Sequence, residues 1–261
     1  MSIIFPSSPA VNQTYTFNGR TWYWNGSAWQ LQVNSLQVIG GTLTNNLTLA
    51  AGTTSLSPLT FQSGTNLTTA TAGAIEYDGK VIYTTPSGRG VSPSMMFYRL
   101  NSSVTGGNFV SAQSAFGVGI TLIANTVYAF ESALTFTKAA GTTSHNFGMG
   151  FGGDGTFLYN NFYMQSIFSS NTSTLPTNNT GYLGTQNSFN TFYALTGIAS
   201  ATISISVFLK GSISVNTSGK ITPQYQTSAQ PGGAYTTQIG SYFAIWPIGA
   251  AGANTSVGPW A

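Results

Sequence analysis

Side chains able to do acid–base, nucleophilic or metal chemistry are scarce in this chain. Glu76, Asp78, Glu131 and Asp154 are the only acids in 261 residues, His145 is the only histidine, and cysteine is absent. Glycoside hydrolysis needs two facing carboxylates. Glu76 and Asp78 share strand parity and can stand side by side, but "GAIEYDG" around them carries turn chemistry and no cleft. Solvated acids flanking a turn are the better account. Glu131 follows Phe130 in an apolar strand and reads as a ligand contact, as the partner of a base such as Lys138, or, the reading preferred here, as an outward-facing or interface acid. "GFGGDGT" at 150–156 has the glycines of a phosphate loop, yet no lysine follows it and no helix opens after it to hold an anion. It reads as a turn. One carboxylate is a poor calcium site and one histidine cannot build a zinc site. His145 therefore reads as a loop histidine, and no catalytic residue, metal or other cofactor is expected.

The elements that would have to position any such chemistry are β-strands. Val127-Tyr128-Ala129-Phe130-Glu131, Leu134-Thr135-Phe136-Thr137, Thr202 to Val207 and Ser212 to Val215 alternate apolar and polar residues at period two. No segment keeps the helical spacing without Gly, Thr or Asn interrupting it, so the expectation is an all-β protein. Charged residues make up 4% of the chain, far below the roughly 25% of an ordinary soluble domain. Hydrophobic content of 41% and aromatic content of 13% argue against disorder. The net charge of +3 comes from seven basic and four acidic residues scattered singly, which predicts no nucleic-acid partner. No apolar run approaches a membrane helix and "MSIIFPSSP" is not a signal peptide, so neither membrane insertion nor secretion is expected. Sequons at Asn46, Asn66 and Asn216 follow from a Ser/Thr/Asn-rich composition.

The most apolar surface lies near the N-terminus, in "YTFNGRTWYWNGSAWQL" at 15–31. Asn18-Gly19 and Asn25-Gly26 predict two-residue hairpin loops, because both central residues of a type I′ turn take positive φ. A three-stranded meander follows, with Phe17 opposite Arg20, Tyr15 opposite Trp22, Trp24 opposite Ser27 and Trp22 opposite Trp29. Strand alternation then places Tyr15, Phe17, Arg20, Trp22, Trp24, Trp29 and Leu31 on one face. A single small sheet cannot bury that face by itself.

Three regions differ in texture. Residues 1–34 form the aromatic meander, with Pro6 and Pro9 holding the preceding segment extended. Residues 35–100 are Thr-, Ser- and Gly-rich, with short β-prone pieces at 47–49, 58–61 and 74–77, too short and weakly apolar for a core of their own. Residues 101–261 carry longer strands and regular turns, the pattern of a β-sandwich head that folds by itself.

"FPSSPAVNQTYTFNGRTWYWNGSAWQ" at 5–30 and "PLTFQSGTNLTTATAGAIEYDGKVIYTTPSGR" at 58–89 resemble segments of tail-fibre and virion-appendage proteins of tailed bacteriophages, particularly marine and cyanobacterial phages. "TVYAFESALTF" at 126–136 and "GSYFAIWPIG" at 240–249 resemble the early and last strands of the trimeric jelly-roll heads of the tumour-necrosis-factor and complement type. A loop-like insert at about 169–191 departs from that pattern. The resemblance implies a non-enzymatic virion structural protein, made in the host cytoplasm and displayed on the virion surface. Its form would be a homotrimer: an N-terminal meander (1–34) attached to other capsid or tail proteins, a short-strand trimeric shaft (35–100), and a jelly-roll head (101–261) facing the host. As a short tail fibre the head would bind host-surface glycan; as a capsid fibre or decoration protein it would adorn the particle. The alternative is a carbohydrate-binding module in which Trp22, Trp24 and Trp29 form a sugar-stacking platform.

Overall fold

The computed structural model describes residues 3–32, 46–86, 88–92, 94–171, 181–190, 192–252 and 257. The protein is all-β: every regular element among these residues is a strand. The chain divides into two compact units, Met1–Thr60 and Phe61–Ala261.

In the first unit, strands β1 (Thr14–Phe17), β2 (Arg20–Trp24) and β3 (Trp29–Leu31) form an antiparallel sheet in sequential order. Asn18 (φ 46°) and Gly19 (φ 73°) make the two-residue turn that the sequence predicts, and Phe17 pairs with Arg20, Tyr15 with Trp22. The second loop differs. Asn25 does not adopt positive φ; its side-chain Oδ1 accepts from the backbone N–H groups of Ser27 (2.9 Å) and Ala28 (2.8 Å), closing a four-residue loop. Such local bonding is what Asn offers in place of a left-handed turn. Trp24 therefore pairs with Trp29 and Trp22 with Leu31, rather than with Ser27 and Trp29. The slip is two residues, an even number, so every side chain keeps its expected face.

The second unit begins with a small sheet of β4 (Ile75–Tyr77), β5 (Ile82–Thr84) and β6 (Gly90–Ser92). Val81 and Tyr83 are buried, and Lys80 Nζ donates to the Asn125 carbonyl (2.6 Å) in the larger body that follows. The β-prone pieces at 47–49 and 58–61 carry no strand.

That larger body comprises β7 (Met96–Arg99), β8 (Val104–Thr105), β9 (Gln113–Ser114), β10 (Ile120–Leu122), β11 (Thr126–Lys138), β12 (His145–Gly153), β13 (Leu158–Asn171), β14 (Gly181–Gln186), β15 (Phe192–Ile198), β16 (Ile203–Thr217), β17 (Gly219–Thr227), β18 (Thr236–Thr237) and β19 (Tyr242–Ala250). The alternating segments foreseen at 127–131 and 134–137 are one strand, β11, paired along its whole length with β16, which likewise unites 203–207 of the segment foreseen at 202–207 with 212–215. One sheet runs β14-β13-β16-β11 and continues through β19 to β7; the other runs β10-β17-β12-β15. Omitting the β13–β14 hairpin, the eight main strands taken in chain order lie first-eighth-third-sixth in one sheet and second-seventh-fourth-fifth in the other. β7 belongs to the main sheet although it precedes residue 101. Of the stretch at 169–191 read as loop-like, the end of β13 (to Asn171) and β14 (Gly181–Gln186) are strand, and 172–180 and 191 lie outside the described residues.

The two sheets face each other across an aromatic core. Phe130 of β11 meets Phe151 of β12 at 5.5 Å and stacks on Phe162 and Phe243, both at 5.9 Å, while Phe136 meets Phe147 (5.1 Å) and Tyr225 (5.2 Å). Gly211 stands opposite Phe130 in the ladder, where a Cβ would strike the Phe130 ring and the Tyr163 carbonyl; only glycine lets that ring lie down.

Candidate functional site

The β1–β3 sheet has a polar and an aromatic face. On the polar face Thr16 and Thr21 hydroxyls hydrogen-bond at 2.9 Å, and the Tyr23 hydroxyl donates to Gln30 Oε1 (2.5 Å). On the other face Tyr15, Phe17, Trp22, Trp24 and Trp29 are half-buried, while Arg20 and Leu31 are exposed. The six residues expected there with Leu31 are thus brought together, and a sixth ring joins the five they carry. Phe5 stacks on Trp29 (5.2 Å, 12°) and meets Tyr15 (5.6 Å, 64°) and Trp22 (5.6 Å, 77°) edge to face. The segment before β1 is therefore bent back over the sheet, not extended: Ser8 (φ 62°) and Asn12 (φ 69°) both take the left-handed conformation. Trp24 and Trp29 are tilted 57° to each other at 5.8 Å, so the three indoles do not make one plane. Arg20 lies over no ring and pairs with no acid among the described residues.

In the second unit, the outward face of the larger sheet carries apolar side chains where alternation calls for polar ones. Ladder register puts Ile167 opposite Phe208, Phe208 opposite Ala133, and Ala133 opposite Tyr242, on which Phe97 stacks at 5.2 Å. This row crosses five strands. Phe208 (54% exposed), Phe97 (54%) and Ile167 (51%) are uncovered. In the next row Glu131 stands opposite Lys210, placing the only acid of this strand on the outward face, away from Lys138. A shallow hollow lies there, walled by Glu131, Gln165, Ile167, Phe208, Lys210 and Tyr242.

The other chemical groups are occupied by the fold. Glu76 accepts from Arg89 (2.9 Å) and from the Leu67 N–H (2.6 Å), the latter being the main cause that lowers its pKa. Asp78 accepts from the N–H groups of Lys80 and Val81, both at 2.8 Å, and from the Tyr83 hydroxyl at 2.9 Å. Burial and that bond push Tyr83 up to about 12. Asp154 accepts from Lys220 N–H (2.8 Å), the Thr156 hydroxyl (2.7 Å) and two N–H groups of its own turn, and these bonds, led by Lys220, bring its pKa down to about 2. "GFGGDGT" is thus the end of β12 and a turn latched to β17.

His145 is not a loop residue. It opens β12 and is 2% exposed. Its Nδ1 contacts the Thr143 carbonyl (2.7 Å), which can only accept, so Nδ1 carries the proton and Nε2 accepts from the Tyr235 hydroxyl (2.8 Å). Burial, assisted by the nearby Lys138 charge, lowers its pKa. Lys138 is itself buried, with Nζ donating to the carbonyls of Ala140 (3.1 Å), Gly141 (2.6 Å) and Ser200 (2.7 Å), 6.0 Å from the Tyr235 ring centre. The cluster ties three loops at one end of the sandwich.

Sequence reasoning missed Phe5 and the outward row. A signal existed for the latter: in "ISISVFLKG" at 203–211, Phe208 is apolar at the parity of Ser204 and Ser206. The chain matches no protein-family model, and comparison with curated proteins and with solved structures returned no match.

Proposed function

We propose that the chain is a non-enzymatic structural protein of a tailed-bacteriophage virion: a homotrimeric surface appendage, a short tail fibre or capsid decoration, attached through its N-terminal unit and presenting a β head to the host surface. The observation that carries this reading is the uncovered row Ile167–Phe208–Ala133–Tyr242–Phe97. Contiguous exposed apolar surface marks an interaction site, and closed cyclic symmetry is the usual way for identical chains to cover it. Glu131 and Lys210 face each other within the chain, so this surface offers a partner copy no net charge at its centre. The order of the eight main strands is that of a double Greek key, which supports a jelly-roll head. Three of the four acids have their oxygens taken by backbone N–H, hydroxyl or guanidinium donors, which favours a structural role over hydrolysis.

For the aromatic face, the tilt between Trp24 and Trp29 and the Phe5 ring over Trp29 favour an assembly anchor over a flat sugar platform. Replacing Trp22 and Trp29 with Ala separates the two. The anchor requires the variant to be lost from virions, seen by antibody labelling in negative stain, while the purified oligomer adsorbs to host cells as before. Normal incorporation with lost adsorption would give the face to glycan binding.

A further inference from the structure

Residues 3–9 are attached to the first unit by little. Among the described residues no hydrogen bond joins them to the sheet; backbone bonding begins with Ala10, whose carbonyl accepts from Gln13 N–H (2.9 Å), and with Asn12, which donates to Trp24 (2.8 Å). Phe5 is the ring that seats the segment, in a three-walled slot of Trp29, Tyr15 and Trp22, with Pro6 and Pro9 half-buried beside it. Beside it Ile4 is 81% exposed and Ile3 37%. The bend that returns Phe5 to its own sheet runs through Ser8, a non-glycine residue at φ 62° between Pro6 and Pro9, whose rings fix φ and stiffen the chain on either side. An arm with one anchor, a strained hinge and stiff flanks is the arrangement that invites exchange between copies, since opening the hinge relieves strain and the anchor finds an identical slot.

We propose that in the assembled protein residues 3–9 are exchanged, Phe5 of one copy filling the Tyr15–Trp22–Trp29 slot of a neighbouring copy. The inference rests on the homotrimeric reading above and deepens it by naming a contact in the N-terminal unit. Exchange holds the small sheets together without extending them, and it covers Ile3 and Ile4 against the neighbour.

Complementation between two defective chains tests it. An F5A chain keeps the slot and lacks the anchor; a W22A/W29A chain keeps the anchor and lacks the slot. The F5A chain is labelled with 5-fluorotryptophan and co-assembled with unlabelled W22A/W29A chain, the mixed mass being verified by light scattering. Exchange predicts that the fluorine resonances of Trp22 and Trp29 in the F5A chain return to their wild-type positions, and that co-assembly with unlabelled F5A/W22A/W29A chain leaves them unmoved. Mixed oligomers with unmoved resonances in both cases would overturn the exchange and leave the trimer standing. A monomeric wild type would overturn both. Movement of the same resonances when chitohexaose is added to the F5A chain would assign the slot to a glycan and likewise overturn the exchange.

Discussion

The phenyl ring of Phe5 lies within 12° of parallel to the Trp29 indole, 5.2 Å between centres, and among the described residues is the only ring of the aromatic cluster contributed from outside the β1–β3 sheet. Its three ring contacts are each worth ~0.5–1.5 kcal/mol beyond area burial. Phe5→Ala is expected to remove about 2 kcal/mol from the N-terminal unit, seen as a red shift of tryptophan emission and an earlier first transition on heating. The transition of the second unit, where Phe5 has no place, should not move.

His145 should make the second unit acid-sensitive. Its folded pKa lies below the ordinary value of 6.5, so between the two values the unfolded chain binds more protons and stability rises with pH. The second unit should hold a nearly constant melting temperature between about pH 7 and 9, below the range where its tyrosines and lysines titrate, and lose stability as pH falls through 6.5 toward the folded value. His145→Gln, which keeps a donor and an acceptor but cannot titrate, should flatten that slope in differential scanning calorimetry.

Asp154 acts in a separate window. With its pKa held at about 2, its contribution is complete above the unfolded value near 3.8 and is lost as pH falls from there through 2. Carbon-13 titration of its carboxyl should give a midpoint near 2, and Asp154→Asn should loosen the β12–β13 turn from Lys220, read as faster amide exchange at Lys220.

The fragment boundary follows from β7. Met96–Arg99 hydrogen-bonds to β19, and Tyr98 meets the buried Phe116 edge to face at 5.8 Å. A fragment of residues 61–261 should melt in one cooperative step. One beginning at Ser103 loses an edge strand and should melt at a lower temperature by circular dichroism, contrary to a head that starts at 101.

Much of the fold was legible because strand alternation is a local property. Tyr128, Phe130, Leu134 and Phe136 show their inward face by spacing alone, and the parity of the aromatic sheet survived a misjudged loop because the slip was even. Sequence could not show that Asn25 would spend its side chain on an Asx turn, since Asn-Gly serves either geometry. Nor could it show His145 buried: its hydroxyl partner Tyr235 lies 90 residues away in sequence and meets it only after the sheets close. Within the candidate site, local pattern supplied the sheet residues, whereas Phe5 belongs to a segment without periodicity and reaches the slot through a left-handed Ser8. The outward row stayed hidden because it exists only once register sets Ile167, Phe208 and Tyr242 side by side.

Self-association through that row is the central claim, and the mass of the full chain in solution tests it most directly. Multi-angle light scattering at micromolar concentration should give three times the chain mass of 27.4 kDa. Phe208→Glu, at an exposed position that should leave the head's melting nearly unchanged, should shift the protein toward monomer by more than tenfold in affinity, as loss of an aromatic anchor costing ~2 kcal/mol requires. A monodisperse wild-type monomer, or a trimer indifferent to Phe208→Glu and Ile167→Glu together, would contradict the account.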